Sequence, residues 1–359
     1  MTGRPLVEEA LERFFDEAEA SFEKAVNRSA ERVERHVQVA GRPMRLQFAG
    51  ATLADAMMPA LRHLEVPAAT PSLTAFIWDL RSTGVVLGPP PWAALPYFER
   101  GNMRGFRDDR FVLVYDRGTR AFSAVDNLQG RAVQWMDDAA CVPFSERAAP
   151  LRHVLQGWLQ REGLFVAHAS AVGRASGGVA VSGRTGSGKS TTAALCLGSD
   201  LGYLGDDNIL ISACGEPCAY SLYGVAKLSR ATLAWFPELS AAVANPERLD
   251  VEKALIFLGD AYRPRMLREF PLRAILLPRV VDGRETHLRQ VSGSTAFRTL
   301  APDTLLTVLG NPALTARGLR RLIDALPCYE LTLGHDLARI PGVIADLLSQ
   351  AGGGAREDD

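Results

Sequence analysis

The fold is decided by one stretch, Gly183-Arg184-Thr185-Gly186-Ser187-Gly188-Lys189-Ser190, which has the pattern G-x-x-x-x-G-K-S. An apolar run at 178–182 precedes it, and an alanine- and leucine-containing segment follows it to Leu197. Strand, glycine-rich loop and helix in this order are typical of a P-loop, whose backbone N–H groups point at phosphates beside a helix N-terminus. A glycine-rich turn with a chance lysine would not account for the strand and helix around it. The stretch therefore predicts a nucleoside triphosphate site.

The residue types in the loop indicate how it would bind its ligand. Lys189 is expected to reach the β- and γ-phosphates, and the Ser190 hydroxyl to bind Mg²⁺. The predicted cofactors are therefore ATP and Mg²⁺. The residues expected to contact the nucleotide are Gly183, Arg184, Thr185, Gly186, Ser187, Gly188, Lys189, Ser190 and Thr191.

Length, composition and charge exclude several classes of protein. The 359 residues are enough for two domains, and 47% hydrophobic and 23% charged residues are ordinary for a protein with a full core. The formal net charge of −1 gives no support to a protein that binds nucleic acid through bulk charge. The chain has no apolar run of membrane-spanning length and no signal-peptide pattern. We therefore expect a cytoplasmic protein that binds neither nucleic acid nor membranes.

The five cysteines are odd in number and spread along the chain. This favours reduced, structural thiols over a disulfide framework. Cys214 and Cys218 bracket a predicted hairpin turn, but no spacing suggests the two further ligands that a zinc site would need.

Residues 1–145 are predicted to form an α+β domain. An apolar periodicity at 6–26 indicates an amphipathic helix, and alternating residues at 37–39 and 44–48 indicate a hairpin. A helix to about residue 64, a strand at 73–79, a hairpin at 111–115 and 121–125 and a strand at 131–135 follow. Three aromatic residues near a proline run, Trp92, Tyr97 and Phe98, either line a peptide groove or belong to the core.

Residues 146–351 are predicted to form the P-loop domain, with a disordered tail at 352–359 and a helix at 150–162 that joins the two domains. A strand at 164–172 is separated from the strand before the P-loop by only five turn residues. Because so short a connection cannot form a parallel crossover, these two strands must be antiparallel. Further strands are expected at 202–204, 209–212, 219–223, 254–258, 274–278 and 329–333, and helices at 228–236, 301–309, 316–326 and 340–348.

Asp206 and Asp207 follow the apolar segment 202–204, the strand predicted after the P-loop helix. Transfer of phosphate from Mg²⁺·ATP needs a carboxylate near the metal and a group that orients the acceptor hydroxyl. The carboxyl end of a neighbouring strand faces the same crevice as the loop, so both aspartates are candidates for these tasks. A solvated turn or a helix cap is the alternative interpretation.

Several of these features together resemble the catalytic domain of HPr kinase/phosphorylase, whose core is related to phosphoenolpyruvate carboxykinase. They are His168-Ala169-Ser170-Ala171-Val172, the antiparallel hairpin, the P-loop and Gly205-Asp206-Asp207. The resemblance covers about 164–223 and implies an α/β domain with a mixed sheet. It implies that Asp206 is the general base toward the acceptor hydroxyl, that Asp207 and Ser190 hold the metal, and that His168 lies near the phosphates.

The chain also departs from that family's pattern. Thr191 follows Ser190 where the family commonly has glutamate, and Tyr223-Gly224 stands at the place of an arginine-glycine motif. Arg263-Pro264-Arg265 resembles the family's basic flexible loop, but residues 1–145 do not resemble its N-terminal domain. The resemblance is therefore closer to divergent serine kinases that modify ribosomally made peptides, including lasso peptides.

The sequence thus predicts an ATP-dependent kinase that phosphorylates a hydroxyl, best matched by a serine of a peptide or protein. The N-terminal domain is expected to recognise this acceptor, and Lys227 and Lys253 are candidates for phosphate or acceptor contacts. Two alternatives stay open: a kinase acting on a small metabolite, and a nucleotide-dependent switch without catalysis. A homo-oligomer is also left open.

Overall fold

The computed structural model describes residues 4–259, 262–307 and 311–353. Its contacts divide the chain into two units, the first ending at Arg161 and the second beginning at Glu162. The expected boundary at 145/146 falls inside the first unit, because helix Arg152–Arg161, expected to join the two domains, packs on strands of the first sheet. Both units combine helices with a mixed sheet.

Residues 4–161 form an eight-stranded sheet with the strand order β1-β2-β3-β8-β7-β6-β5-β4. Its strands are β1 (Arg32–Val39), β2 (Arg42–Ala49), β3 (Leu73–Asp79), β4 (Phe98–Arg100), β5 (Met103–Arg107), β6 (Phe111–Asp116), β7 (Ala121–Asp126) and β8 (Arg131–Met136). The helices are α1 (Arg4–Ser29), α2 (Ala51–Leu61), α3 (Leu80–Thr83), α4 (Phe144–Ala148) and α5 (Arg152–Arg161). The predicted hairpins at β1–β2 and β6–β7 are confirmed. β3 is parallel to β2 and β8, because the crossover through α2 returns the chain in the same direction.

The core of the first unit is built on the periodicity of α1. Its buried side chains, predicted from their spacing, include Leu11, Phe14, Phe15, Ala18 and Phe22. Trp92 packs its ring against Phe122, with the ring centroids 6.5 Å apart. It is therefore part of the core packing, while Tyr97 stays 43% exposed. The peptide groove stays a prediction.

In the described part of residues 162–353, nine strands form a second mixed sheet. The strands of this unit are β9 (Leu164–Ala167), β10 (Ala169–Arg174), β11 (Gly177–Ser182), β12 (Gly202–Gly205), β13 (Ile209–Ser212), β14 (Cys218–Ser221), β15 (Val225–Leu228), β16 (Ala254–Phe257), β17 (Glu269–Val280), β18 (His287–Val291) and β19 (Cys328–Leu333), of which β15 and β16 pair separately. The helices are α6 (Lys189–Leu197), α7 (Arg230–Leu233), α8 (Pro237–Ser240), α9 (Gly293–Thr307), α10 (Pro312–Ala325) and α11 (Ile340–Gly353).

This sheet is covered by helices on both faces. Val172, Val179 and Val181 pack with α6 and α11 on one face. The alternate residues Ala171 and Ala180 pack with α9 and α10 on the other. Continuous apolar strands such as β11 are expected where a sheet is buried on both sides.

The direction of the strands around the P-loop confirms the main topological prediction. β10 and β11 are antiparallel, with Ala169 opposite Ser182. β12 is antiparallel to β10 and thus runs in the same direction as β11. β17 is parallel to β11, and β19 is parallel to β17. The carboxyl ends of β11, β12, β17 and β19 therefore lie at one edge of the sheet.

Several predicted elements differ from the structure. The strand expected at 164–172 is interrupted at His168, because β9 pairs with β13 whereas β10 pairs with β11 and β12. The helix expected at 228–236 begins later, since strand β15 ends at Leu228 and Ser229 caps the short helix α7. β18 was not predicted, and α11 extends to Gly353, two residues into the expected tail. The rest of that tail, 354–359, lies outside the described residues.

All five cysteines lie in described positions and are free thiols. Among the described residues, no helix combines the length and the apolar character needed to cross a membrane.

Candidate active site

One edge of the second sheet collects the predicted site residues. β11 ends in the P-loop, and β12 is followed directly by Asp206 and Asp207. His168 immediately precedes β10, whose amino end lies at the same edge because β10 is antiparallel to β11. The Ser182 hydroxyl donates a hydrogen bond to the backbone oxygen of His168 at 3.2 Å. The strand directions thus bring together segments that are far apart in sequence.

The loop has the backbone conformation that its glycines allow. Gly186 and Gly188 have φ angles of 82° and 109°, in the left-handed region that side chains disfavour. A Cβ atom at Gly188 would lie 2.3 Å from Leu333 Cδ1, whereas one at Gly186 would meet nothing within 4 Å. The Ser187 hydroxyl is buried and has no hydrogen-bond partner among the described residues. An open cradle beside an unpartnered hydroxyl fits a phosphate group.

Lys189 is folded back over the loop. Its Nζ donates hydrogen bonds to the backbone oxygens of Gly183 and Arg184, at 2.5 and 3.2 Å. Burial lowers the pKa of Lys189, although the negative charges of Asp207 and Asp206 oppose this shift. A buried ammonium held only by carbonyl groups is well placed to bind an anion over the loop.

Asp206 is buried, with 3% of its surface exposed, and contacts the P-loop helix directly. Its Oδ1 accepts hydrogen bonds from the hydroxyls of Ser170 at 2.6 Å and Ser190 at 3.1 Å. Burial and the neighbouring charge of Asp207 raise the pKa of the Asp206 carboxyl, against the effect of these two hydroxyls.

Asp207 instead lines the pocket in front of the loop. Its Oδ2 accepts a hydrogen bond from Lys227 Nζ at 2.6 Å, and its Oδ1 lies 3.6 Å from His168 Nδ1. Burial raises the pKa of this carboxyl, but the positive charge of Lys227, with His168 and Lys253, outweighs burial and holds the pKa well below its usual range. Asp207 is therefore an ionised carboxylate that faces the pocket.

His168 is positioned by the same turn. Its Nδ1 lies 3.1 Å from the backbone oxygen of Asp207. Because a carbonyl oxygen only accepts, this contact requires the proton on Nδ1. His168 also lines the pocket, and its place near the phosphates stays a prediction from the resemblance.

The structure reverses the predicted positions of the two aspartates. The sequence placed Asp206 toward the acceptor and Asp207 toward the metal, but Asp206 contacts Ser190 and Asp207 faces the pocket. The physical reason is that β12 ends at Gly205, so neither aspartate lies on the strand. Asp207 has a φ of 70°, and this turn redirects its side chain.

The residues that would hold a magnesium ion lie where the start of the P-loop helix meets the turn after β12. Ser190 Oγ and Asp206 Oδ1 are separated by 3.1 Å, so both oxygens can face one cation. Mg²⁺ in nucleotide sites is held by one or two protein oxygens, with phosphates and water completing its shell. Among the described residues, no group of three or more His, Cys, Asp or Glu side chains is placed to hold a metal ion.

The pocket in front of the loop has a volume of about 760 Å³. Its lining residues fall into three groups. The P-loop supplies Thr185, Gly186, Gly188, Lys189, Ser190 and Thr191; a second group consists of His168, Asp207, Lys227 and Lys253 with Leu228, Ser229, Thr232 and Trp235; the ends of β17 and β19 and the residues after them supply Val280, Val281, Leu333, Gly334, His335 and Leu337. Of the predicted loop residues, Gly183, Arg184 and Ser187 do not line it.

Most of the few lysines in the chain line this pocket. The chain has only four lysines among its 40 basic residues, and three of them, Lys189, Lys227 and Lys253, line the pocket. The sequence singled out these same three lysines. A compact ammonium differs from arginine in binding phosphate as a point charge, so the concentration of lysine here fits an anionic ligand.

The sequence analysis did not identify some residues of the pocket, and two arginines that it singled out lie outside the pocket. Trp235, Val280 and His335 line the pocket but carry no local motif. Arg263 and Arg265, expected in a basic loop, do not line it, and Arg265 donates to the backbone oxygen of Ser199 at 2.6 Å. Pocket residues at strand ends become visible only when the order of the strands is known.

Comparisons with known proteins give a limited result. No family model matches the chain. No curated protein matches it either. A solved structure of the HPr(Ser) kinase/phosphatase from Coxiella burnetii is similar, with a TM-score of 0.32 and 10% sequence identity, over 52% of this chain and 99% of that chain. A match at this level supports no assignment of function.

Proposed function

We propose that the chain is a Mg²⁺-dependent phosphotransferase that moves the γ-phosphate of ATP to a hydroxyl group, and that the hydroxyl belongs to a serine of a peptide or protein. The observation that carries this proposal is that two adjacent carboxylates make different contacts. Asp206 binds the P-loop serine, while Asp207 is held ionised in the pocket by Lys227. A P-loop that only binds a nucleotide has no need of the second carboxylate.

The binding step uses the loop and its helix. Backbone N–H groups of the loop and the N-terminus of α6 would hold the phosphates, and Lys189 would exchange its carbonyl partners for phosphate oxygens. Mg²⁺, when bound beside Ser190 and Asp206, would neutralise charge on the β- and γ-phosphates. Asp206 thus acts on the metal side and not on the acceptor.

The transfer step uses Asp207. The acceptor hydroxyl oxygen forms a bond to the γ-phosphorus while the bond from phosphorus to the bridging oxygen breaks, and ADP leaves. The hydroxyl proton passes to the Asp207 carboxylate. A weakly basic carboxylate suffices because phosphoryl transfer has a loose transition state, in which positioning and charge stabilisation matter more than base strength. Lys227 keeps Asp207 ionised and oriented.

The choice of a peptide or protein serine rests on the motif resemblance to HPr kinase/phosphorylase. The first unit is proposed to recognise this acceptor. Its exposed Tyr97, with the Arg104 guanidinium 4.5 Å from the ring centroid, is a surface feature suited to a peptide. Cytoplasmic location is part of the same proposal.

The test is transfer of label from [γ-³²P]ATP by the full-length chain with Mg²⁺. The acceptors are a degenerate peptide library with a central serine and a matched library with a central alanine. Label is expected on the serine library only, and Lys189→Ala serves as the inactive control. Label on small metabolites of a cell extract, or slow ADP release without transfer, would contradict the proposed acceptor or the proposed reaction.

A further inference from the structure

One part of the pocket has no task in the reaction described above. It is an apolar wall formed by Val280, Val281, Leu333 and Leu337. Val280 leaves 64% of its surface exposed, although the preceding stretch of the same strand, Ala274–Pro278, is buried. A bulky apolar side chain left exposed inside a pocket is a contact surface for an apolar ligand group.

The strand order places this wall on one side of the P-loop and the transfer machinery on the other. From β11, the sheet continues through β10 to β12, which carries Asp206 and Asp207. In the opposite direction it continues to β17 and β19, which end at Val280 and Leu333. A triphosphate bound over the loop with its γ-phosphate toward Asp207 would direct its other end toward the apolar wall.

The two strand ends that form the wall are hydrogen-bonded to each other and lie beside the loop. The backbone N–H of Val281 donates to the backbone oxygen of Leu333 at 3.1 Å. A Cβ atom at Gly188 would lie 3.8 Å from Val280 Cγ2 and within contact distance of Leu333. The apolar surface therefore begins where the phosphate cradle ends, and its position relative to the loop is defined.

The exposed Trp235 offers a competing surface, but it lies on the transfer side. Trp235 and Lys227 both line the pocket, and Lys227 contacts Asp207. The strand before it, β15, is joined to β12 by a hydrogen bond of 2.7 Å from the Tyr203 hydroxyl to the backbone oxygen of Val225. Trp235, 55% exposed, therefore belongs to the acceptor end of the pocket.

We infer that the nucleoside of the phosphate donor binds on the apolar wall of Val280, Val281, Leu333 and Leu337. The donor is therefore a nucleoside triphosphate whose base adds affinity, and not an inorganic polyphosphate. This inference rests on the proposed function and adds the surface that binds the nucleoside, which the transfer step does not define. A planar base that lies on this wall buries one face against aliphatic side chains, which is a favourable apolar contact.

The test compares the dissociation constants of Mg²⁺·ATP and Mg²⁺·tripolyphosphate by calorimetry on the full-length chain. The wild type is expected to bind ATP at least about tenfold more tightly than tripolyphosphate. The paired substitution Val280→Asn with Leu337→Asn should weaken ATP about tenfold and leave tripolyphosphate unchanged. Val86→Asn, at a valine 62% exposed in the first unit, is the matched control and should change neither constant.

The outcomes separate this inference from the proposed function. Equal ATP affinity in the paired variant and the wild type would overturn the inference and leave the P-loop site intact. The inference would also be overturned if Trp235→Leu weakened ATP binding and the paired wall variant did not, because the nucleoside would then lie at the other end of the pocket. A wild type that binds neither ligand would contradict the proposed function and the inference with it. Unchanged tripolyphosphate binding also shows that the paired variant is folded.

Discussion

The Ser190 hydroxyl donates a hydrogen bond to Asp206 Oδ1 at 3.1 Å, which joins the first turn of the P-loop helix to the turn after β12. This contact assigns the buried aspartate to the helix side. It leaves Asp207, its neighbour in sequence, to face the pocket with Lys227 and His168. The predictions below test the consequences of this arrangement.

Lys189→Ala is expected to abolish binding of Mg²⁺·ATP while the fold is kept. The substitution removes the only lysine that lies within the loop, and its backbone partners at Gly183 and Arg184 can be solvated. Calorimetric titration with ATP checks this, with native-like circular dichroism as the condition. Lys24→Ala, in helix α1, removes the only lysine outside the pocket and should bind like the wild type. Full ATP affinity in a folded Lys189→Ala protein would mean that the loop is not a phosphate site.

Gly188→Ala is expected to disrupt the loop. A Cβ atom there clashes with Leu333 at 2.3 Å, and the φ of 109° disfavours any side chain. Gly215→Ala is the matched control, because Gly215 has a φ of 77° but no atom within 4 Å of the added Cβ. Both variants should lose about 1–2 kcal/mol from backbone strain, and only Gly188→Ala should also lose ATP binding. Equal ATP affinity in the two variants would contradict the described loop geometry.

Lys227→Met is expected to move the acidic limb of the pH–activity profile to higher pH. The ordinary pKa of an aspartate is 3.8, and Lys227 is the main group that lowers the pKa of Asp207. Without it, burial raises the pKa of Asp207, so that Asp207 is protonated and inactive over a wider acidic range. The measurement is kcat/KM for transfer against pH, and Lys227→Arg should keep the wild-type profile in part. An unshifted acidic limb in Lys227→Met would show that Asp207 is not the titrating group.

Asp206→Asn is expected to stabilise the protein near neutral pH. The pKa of Asp206 is raised above its unfolded value of 3.8, so its favourable contribution exists below that pH and is lost as the pH rises through the folded pKa. At neutral pH an ionisable carboxyl beside Asp207 is therefore unfavourable, and an amide removes that cost. The melting temperature should rise by roughly 2–4 °C for each kcal/mol gained. Asp200→Asn, at an exposed position before β12, should leave it unchanged, and a lower melting temperature for Asp206→Asn at pH 7 would contradict the account.

The sequence predicted those parts of the fold and site that depend on local pattern. The P-loop has a fixed spacing of glycines, Lys189 and Ser190, and the short turn between β10 and β11 permits only an antiparallel pair. The antiparallel pair is confirmed, and the phosphate-binding role of the loop stays a prediction; both features are set within about ten residues of chain. The alternation that marks α1 as amphipathic is local in the same sense.

The parts that could not be predicted depend on contacts between distant segments. The apolar wall combines the end of β17 with the end of β19, about 50 residues apart, and is assembled only by their parallel pairing. The tasks of Asp206 and Asp207 depend on where β12 ends and on the positive φ of Asp207. An aspartate can adopt a positive φ, but an aspartate in a sequence does not predict one. The conformation of the turn after β12 thus decides which of the two aspartates contacts Ser190 and which lines the pocket.

The most direct test of the central claim is single-turnover transfer from labelled ATP to the serine library, measured across a Mg²⁺ titration for Asp206→Asn and Asp207→Asn. The account predicts that Asp207→Asn binds Mg²⁺·ATP normally but transfers roughly 10²–10⁴-fold more slowly, the usual effect of losing a positioned base. Asp206→Asn should weaken Mg²⁺-dependent binding, and added Mg²⁺ should partly restore transfer. Exchanged behaviour of the two variants would contradict the division of tasks, and full activity in both would contradict the phosphotransferase itself.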